Sequence, residues 1–193
     1  MDEANGVWTI SWKPAPPGHL FRLAHDRLDS YPAWVAEQAF SAVLLDGALI
    51  QLTWSIVGGE VTAHRLAYIP CPLVLDPDLL KTEPLLDVWD LAMDSSVPEV
   101  ILRSAIRFDF DPVAAAPGHP ASHLTFNDPE CRIAVAHPLG PNEFFRFVFR
   151  NFYPDIWHRV TYLQSLKQGF DHQRTLVDDE CEELHLRWER SRR

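Results

Sequence analysis

Cysteine is scarce in this chain, and the spacing of its cysteines excludes two common kinds of small domain. The 193 residues include three cysteines, Cys71, Cys131 and Cys181, and no two of them form a CxxC pair. Zinc fingers and disulfide scaffolds both depend on regularly spaced cysteines, usually in even number. We therefore expect three separate buried thiols in a protein of a reducing cytosol.

The chain also has few positively charged residues and no long apolar run. Lys and Arg number 17 against 27 Asp and Glu, for a formal net charge of −10. Nucleic-acid binders usually carry a basic footprint, so binding of nucleic acid over the whole surface is not expected, although a local basic patch could exist. No apolar run approaches the roughly 20 residues that cross a bilayer, and the first ten residues do not resemble a signal peptide. The sequence predicts a cytoplasmic protein with no membrane partner.

Familiar signatures of catalysis and nucleotide binding are missing as well. The sequence contains no Walker loop, no GxGxxG motif, no nucleophile elbow and no Ser-His-Asp order. The Gly58-Gly59-Glu60 triplet is typical of a tight turn. A complete catalytic motif is therefore not available to define the function.

The chain does contain enough apolar and aromatic residues to form a hydrophobic core. It is 47% hydrophobic and 11% aromatic, with seven Trp and eleven Phe. This composition and length favour one folded domain over disorder. We predict an N-terminal extension over residues 1–18, a single domain over 19–155, and a C-terminal helical appendix over 156–193.

The centre of the first half predicts an antiparallel meander. Apolar residues 40–45 end at Asp46-Gly47, a hairpin signal of the type I′ kind. Polar and apolar residues then alternate through 49–57, and a third strand over 61–69 follows Gly58-Gly59. Such short turns leave no room for the crossover that a parallel pair requires.

A proline-initiated helix crowded with phenylalanine follows later, from about Pro141 to Phe152. Its apolar residues fall on one wide face, which must be buried. Val100 to Phe110 reads as one long strand, and residues 122–126 and 131–136 as a hairpin. The fold class predicted is α+β: an antiparallel meander or partly closed barrel of five to six strands, packed against the Phe-rich helix and followed by a helical tail.

Candidate chemistry concentrates between residues 103 and 153. Asp109 and Asp111, two apart on the predicted strand, share a face, and with His123 they could hold a divalent metal and activate water. The alternative is that Asp109 pairs with an arginine while Asp111 opens the turn before Pro112. His119 and His123 are spaced four apart, but Pro120 argues against the helix that would align them, so no metal ligand set is assigned.

Five arginines surround these acids: Arg103, Arg107, Arg132, Arg146 and Arg150. They could converge on a phosphate or on a carboxylate of a partner. Equally, they could neutralise the neighbouring acidic side chains. The sequence leaves both interpretations open.

Several short motifs, taken in order, resemble the bacterial domain of unknown function 2290. They are HRLAYIPCP at 64–72, RFDFDP at 107–112, HPASHL at 119–124, CRIAV at 131–135 and PxxFFRFVFRNFY at 141–153. The resemblance covers about residues 20–155 and leaves out the Trp- and Pro-rich start and the charged tail. It implies no established activity, only an association with mobile defence and toxin–antitoxin loci.

Two functional hypotheses follow. The first is a non-catalytic accessory or adaptor protein of a bacterial conflict system, such as antiviral defence, which needs no cofactor and contacts a protein encoded nearby. The second is a metal-dependent hydrolase, ribonuclease-like, that uses Asp109, Asp111 and His123 with a divalent metal. A homodimer built through the tail is a further alternative.

Overall fold

The computed structural model describes residues 2–4, 6–12, 27–167 and 173–187. Its chain forms two compact units. The first unit comprises Met1–Arg107 and Thr125–Cys131, and the second comprises Phe108–Leu124 and Arg132–Arg193. Because the chain passes from the first unit to the second more than once, neither unit is a simple continuous segment.

The described residues contain nine strands and six α-helices. The strands are β1 (Asp2–Ala4), β2 (Val7–Ile10), β3 (Ala42–Val43), β4 (Leu49–Val57), β5 (Glu60–Ile69), β6 (Ile106–Phe110), β7 (Ser122–Phe126), β8 (Arg132–Val135) and β9 (His185–Leu186). The helices are α1 (Arg27–Ala36), α2 (Leu85–Met93), α3 (Pro141–Phe152), α4 (Pro154–Arg159), α5 (Thr161–Ser165) and α6 (Asp178–Glu182), with a 3₁₀ turn at Leu79–Lys81. No helix of the described part is long and apolar enough to cross a membrane.

The sheet of the first unit is built on the β4–β5 hairpin. These two strands pair antiparallel along almost their whole length, with an irregularity between Ser55 and Ile56. Strand β2 pairs with the far half of β4, β1 pairs with β2, and β3 pairs with the start of β4, all antiparallel. The predicted antiparallel meander over β3, β4 and β5 is therefore confirmed.

The two hairpin loops of the meander differ in geometry. Gly58 and Gly59 both have positive φ, at 58° and 87°, as a two-residue type I′ turn requires. At the other loop, the Gly47 N–H donates to the Leu44 carbonyl and only Gly47 has positive φ, at 81°. The expected type I′ turn at Asp46-Gly47 is therefore wrong. The loop is one residue longer, a turn followed by a left-handed glycine.

Helices α1 and α2 bury their aromatic residues in the core of the first unit. Tyr31 of α1 and Trp89 of α2 stack with ring centroids 4.9 Å apart. The fully buried Tyr31 hydroxyl donates to the Gly47 carbonyl. A Cβ added at Gly47 would lie 2.9 Å from Leu75 Cδ1, so this position accepts only glycine without rearrangement. The loop between β3 and β4 therefore contacts α1 through Gly47.

The second unit contains β8, β9 and the greater part of β6 and β7. These strands are hydrogen-bonded neighbours in the order β6-β7-β8-β9. Strand β9 pairs parallel with β8. Helix α3 packs on β6, where the Phe108 ring meets the rings of Phe144 and Phe147 edge to face. Phe144 and Val148 are fully buried, so the Phe-rich helix covers a sheet face as predicted.

The predicted fold class is correct at the level of an α+β protein with a mostly antiparallel sheet. The number of strands is wrong, because the described residues form nine strands where five to six were expected. The strand order is linear within each unit, β1-β2-β4-β5 and β6-β7-β8-β9, so neither described unit closes into a barrel. The additional strands are short ones at the ends of the chain, such as β1 and β9.

The predicted strand over residues 100–110 and the helical tail also need correction. Only Ile106–Phe110 forms a strand, since the Ile101 N–H donates to the Pro72 carbonyl and the Val74 N–H to the Glu99 carbonyl. The described part of the tail contains the short helices α4, α5 and α6 and then the strand β9. Residues 168–172 and 188–193 of the predicted helical tail lie outside the described residues.

Candidate functional site

The most distinctive polar feature of the second unit is a buried pair of Asp109 on β6 and His123 on β7. Their side chains are only 6% and 2% exposed, and Asp109 Oδ2 lies 3.4 Å from His123 Nε2. Asp109 lies on the opposite face of β6 from Phe108, and it is buried because both faces of this strand are covered. A carboxylate this deeply buried needs a partner to offset its desolvation.

The position of one proton in this pair follows from the other ring nitrogen of His123. Nδ1 lies 2.8 Å from the Pro120 carbonyl oxygen, which can only accept, so Nδ1 carries a hydrogen. Nε2 then faces a carboxyl oxygen at 3.4 Å. That approach is favourable only if a proton lies between the two atoms, held either by the imidazole or by the carboxyl group.

The loop between β6 and β7 fixes His123 and engages Asp111. The Asp111 Oδ1 accepts the Ala114 N–H at 3.1 Å, and the Asp111 N–H donates to the Ala121 carbonyl at 2.8 Å. His119 Nδ1 lies 2.7 Å from the Ala114 carbonyl oxygen. The rings of His119 and His123 are 4.9 Å apart. Asp111 thus closes a turn immediately after β6.

The arrangement brings Asp109 and His123 together, while Asp111 is occupied by the loop. Among the described residues, no three or more His, Cys, Asp and Glu side chains form a group that could hold a metal ion. The buried pair is nearly closed to solvent. As it stands, this geometry can share a proton internally but offers no open position for a substrate or an activated water.

The five candidate arginines are divided between the units. Arg103 and Arg107 belong to the first unit and the other three to the second. Arg103 Nη1 lies 3.5 Å from Asp46 Oδ2 in a half-exposed ion pair, a kind that contributes little. Arg107 is buried in β6, and Arg132 is half-buried in β8. Arg103 therefore neutralises a turn acid of its own unit.

Arg146 and Arg150 lie four residues apart on α3. The Arg146 Nη1 donates to the carbonyls of Gln164 and Leu166, at 2.7 and 3.2 Å. Its guanidinium carbon lies 5.3 Å from the centroid of the Trp157 ring. Arg146 thus fastens the short helices of the tail to α3, whereas Arg150 is exposed on the same helix.

The buried Cys71 thiol of the first unit is a poor candidate for a nucleophile. Burial raises the pKa of the Cys71 thiol to about 11, so this thiol stays neutral near pH 7. Burial also raises the pKa of the neighbouring Tyr31 hydroxyl well above its usual range. The expectation of three buried thiols is wrong for Cys131, which is exposed in the turn before β8, and for Cys181, which is half-buried.

The sequence patterns do not reveal a cluster of basic residues at the end of β8 and around β9. It consists of His137, Arg174, His185 and Arg187, which line one cavity of the second unit. These residues are spread over fifty positions of the chain and follow no periodic pattern. The one available signal was the isolated His137-Pro138 after a strand, and by itself it indicates only a turn.

Comparison with known proteins gives one clear relationship. The model of the family described as an uncharacterized conserved protein, DUF2290, matches residues 1–188. The chain therefore belongs to the DUF2290 family. The match includes both the Trp- and Pro-rich start and most of the charged tail, so the narrower limits of about 20–155 are wrong. No curated protein and no solved structure matches this chain.

Proposed function

We propose that this chain is a non-catalytic accessory protein, an adaptor of a bacterial conflict system, that acts by contacting a protein encoded nearby. The observation that carries the proposal is an ordered segment of the first unit with large exposed apolar side chains. We name it the apolar strip: Leu91, Met93, Val97, Val100 and Leu102. Val97 is 80% exposed and Leu102 is 97% exposed. Several large exposed apolar side chains so near one another in the sequence favour an interaction surface.

Hydrogen bonds to a neighbouring segment hold the end of the apolar strip around Val100 in place. Val100 forms an isolated antiparallel bridge with Leu73. The Val74 N–H donates to the Glu99 carbonyl at 2.9 Å, and the Ile101 N–H to the Pro72 carbonyl at 2.8 Å. The apolar side chains are thus presented by fixed backbone, which lowers the entropy cost of binding.

The charge around the apolar strip indicates the chemistry of the partner. Asp90, Asp94 and Glu99 lie within or beside the strip and are exposed. No Lys or Arg occurs between residues 82 and 102. An apolar surface with an acidic surround complements a protein surface that has an apolar centre and a basic rim. The proposed occupant is therefore a partner protein of that kind.

The double substitution Val97→Ser/Leu102→Ser tests this proposal. Co-expressed with the product of each neighbouring gene, the unaltered chain should form a stable complex visible by co-purification and mass photometry. The double variant should bind its partner at least about tenfold more weakly, because it removes two large apolar contacts.

The matched control is Val113→Ser/Leu184→Ser, which makes the same chemical changes in the second unit. These two side chains are 95% and 80% exposed, close to those of Val97 and Leu102. The control should bind like the unaltered chain. Equal loss in both variants, or monomers and homodimers alone beside every neighbour, would contradict the proposal.

A metal-dependent hydrolase remains the second candidate, because Asp109 and His123 do lie side by side. It would require the loop around Asp111 to open and admit a metal to this pair. Calorimetric titration of the chain with Mn²⁺ and Mg²⁺ tests it, with Asp109→Asn as the comparison. The adaptor proposal expects no saturable binding. Binding that Asp109→Asn abolishes would favour the hydrolase instead.

A further inference from the structure

Residues 98–102 of the first unit run alongside residues 72–74 as one half of a short antiparallel pair. Leu73 and Val100 lie opposite each other in an isolated antiparallel bridge. The two backbone hydrogen bonds of this pair join the residues just before and just after Val100 to those just after and just before Leu73. Leu73 and Val100 are therefore a non-hydrogen-bonded pair, so the N–H and C=O groups of Val100 point away from residues 72–74.

The outward backbone groups of this segment are unpaired within the described part of the chain. By the alternation of an extended backbone, they are the Pro98 carbonyl, the Val100 N–H and carbonyl, and the Leu102 N–H. No group of the described residues forms a hydrogen bond with any of them. Val100 is 47% exposed and Leu102 is 97% exposed, so solvent reaches this segment. We name residues 98–102 the open edge.

The open edge ends where the chain turns. The Arg103 N–H donates back to the Ile101 carbonyl at 3.1 Å, in a three-residue turn centred on Leu102. Beyond this turn the backbone is already engaged, because the Ala105 carbonyl accepts the Asn127 N–H at 3.2 Å. An added segment can therefore pair only with the few residues up to Leu102.

We propose that the partner binds this edge by strand addition: an extended segment of the partner protein pairs with the open edge as a further β-strand. This inference rests on the proposed function, because Val100 and Leu102 belong to the apolar strip. Unpaired groups on an exposed edge are a template for pairing with another chain. In strand addition, main-chain hydrogen bonds contribute affinity, and the side chains beside them select alternate residues of the added segment.

The side chains along the open edge indicate the composition of the added segment. Glu99, which is exposed, alternates with the apolar residues Val100 and Leu102 at the positions around it. Facing side chains of paired strands interact, so an apolar residue suits the place beside Val100 and a Lys or Arg the place beside Glu99. The nearest arginine in the sequence, Arg103, already faces Asp46 at 3.5 Å. The proposed occupant is therefore a segment in which apolar and basic residues alternate.

Charge disfavours a second copy of this chain as the occupant of the open edge. Antiparallel pairing of two open edges about Val100 would bring the two copies of Glu99 close together, and each copy has a net charge of −10. Like charges that face each other across paired strands are destabilising. A basic partner segment has the opposite effect.

A short peptide of alternating lysine and valine tests the inference without the natural partner. Titrated into the full chain, it should shift the NMR amide signals of Val100 and Leu102 saturably and slow the exchange of both amide hydrogens at least about tenfold. The amide signal of the exposed Leu184 in the second unit should not shift. A peptide of alternating glutamate and valine should not bind. The lysine–valine peptide with N-methylated backbone amides should also fail to bind, because it keeps the side chains but loses its donors.

The variant Val100→Pro removes the outward N–H and should weaken binding of the lysine–valine peptide at least about tenfold, followed at the Leu102 amide signal. The matched control Val100→Thr keeps the N–H and the β-branched shape, so it should bind like the unaltered chain. Urea denaturation shows whether Val100→Pro still folds. If it does not, the comparison with the N-methylated peptide decides the question.

Several results would overturn strand addition and leave the proposed protein contact standing. They are the absence of saturable binding of the lysine–valine peptide, equal binding of its N-methylated form, and equal weakening by Val100→Pro and Val100→Thr. A Val100 signal that shifts with the concentration of the chain alone would assign the open edge to a second copy and overturn the proposed occupant. Conversely, peptide binding at the open edge without a complex beside any neighbouring gene product would contradict the adaptor proposal and leave the strand-binding edge intact.

Discussion

Replacement of Asp109 by alanine should lower the free energy of unfolding by about 3 to 5 kcal/mol, the range for removing one partner of a buried pair. The substitution would leave His123 Nε2 buried with no carboxyl group to share its proton. Its ring cannot turn to find another partner without losing the 2.8 Å contact of Nδ1 with the Pro120 carbonyl. Urea denaturation of the full chain, followed by far-UV circular dichroism, measures the change.

Asp109→Asn is the matched comparison because it keeps the shape and places an amide N–H where the shared proton lies. This amide can donate to a neutral His123 Nε2, so the loss should be only about 1 kcal/mol, near that of one ordinary hydrogen bond. The double variant Asp109→Ala/His123→Ala should cost clearly less than the sum of the two single variants. Equal costs for Asn and Ala would contradict a shared proton.

The same pair shows what the sequence could and could not predict about the site. Alternation along a strand places Asp109 and Asp111 on one face, but this holds only while the strand continues. Strand β6 ends at Phe110, so Asp111 enters the loop and accepts the Ala114 N–H instead. Where a strand ends depends on its hydrogen-bonding neighbours, and a single sequence does not show them.

Sequence signals predicted those parts of the fold that depend on residues close together in the chain. Pro141 at the first turn and the apolar face of α3 gave its bounds, and Gly58-Gly59 gave the β4–β5 hairpin. Non-local pairing was missed. Residues 100–105 alternate like a strand, but residues 99–101 bond to residues 72–74. Strand β9 is too short to have a period.

The residues that line the cavity beside β9 illustrate the same limit. Ala134 and His185 are neighbours because β8 and β9 are parallel. A parallel contact between strands fifty residues apart has no turn signal to announce it. Charge counts also conceal the cavity, because the tail that supplies Arg174 and Arg187 contains the acids of α6 between them.

Phe144→Ala should lower the free energy of unfolding by about 3 to 5 kcal/mol, which is the range for large-to-small changes of a buried phenylalanine. Phe144 is fully buried and meets the Phe108 ring at 6.4 Å and the Phe145 ring at 5.9 Å. Its removal would leave a cavity between α3 and β6 and would also remove these edge-to-face contacts. Chemical denaturation of the full chain measures the effect.

Phe145→Ala on the same helix provides the control, because Phe145 is only half-buried and so loses less apolar contact. Phe145→Ala should lower the free energy of unfolding clearly less than Phe144→Ala does. Phe144→Leu should also lower it less than Phe144→Ala, because leucine keeps most of the buried volume. In a cycle with Phe108→Ala, the two rings should couple by about 0.5 to 1.5 kcal/mol, as aromatic pairs do. Equal losses of unfolding free energy for Phe144→Ala and Phe145→Ala would contradict the packing of Phe144 against β6.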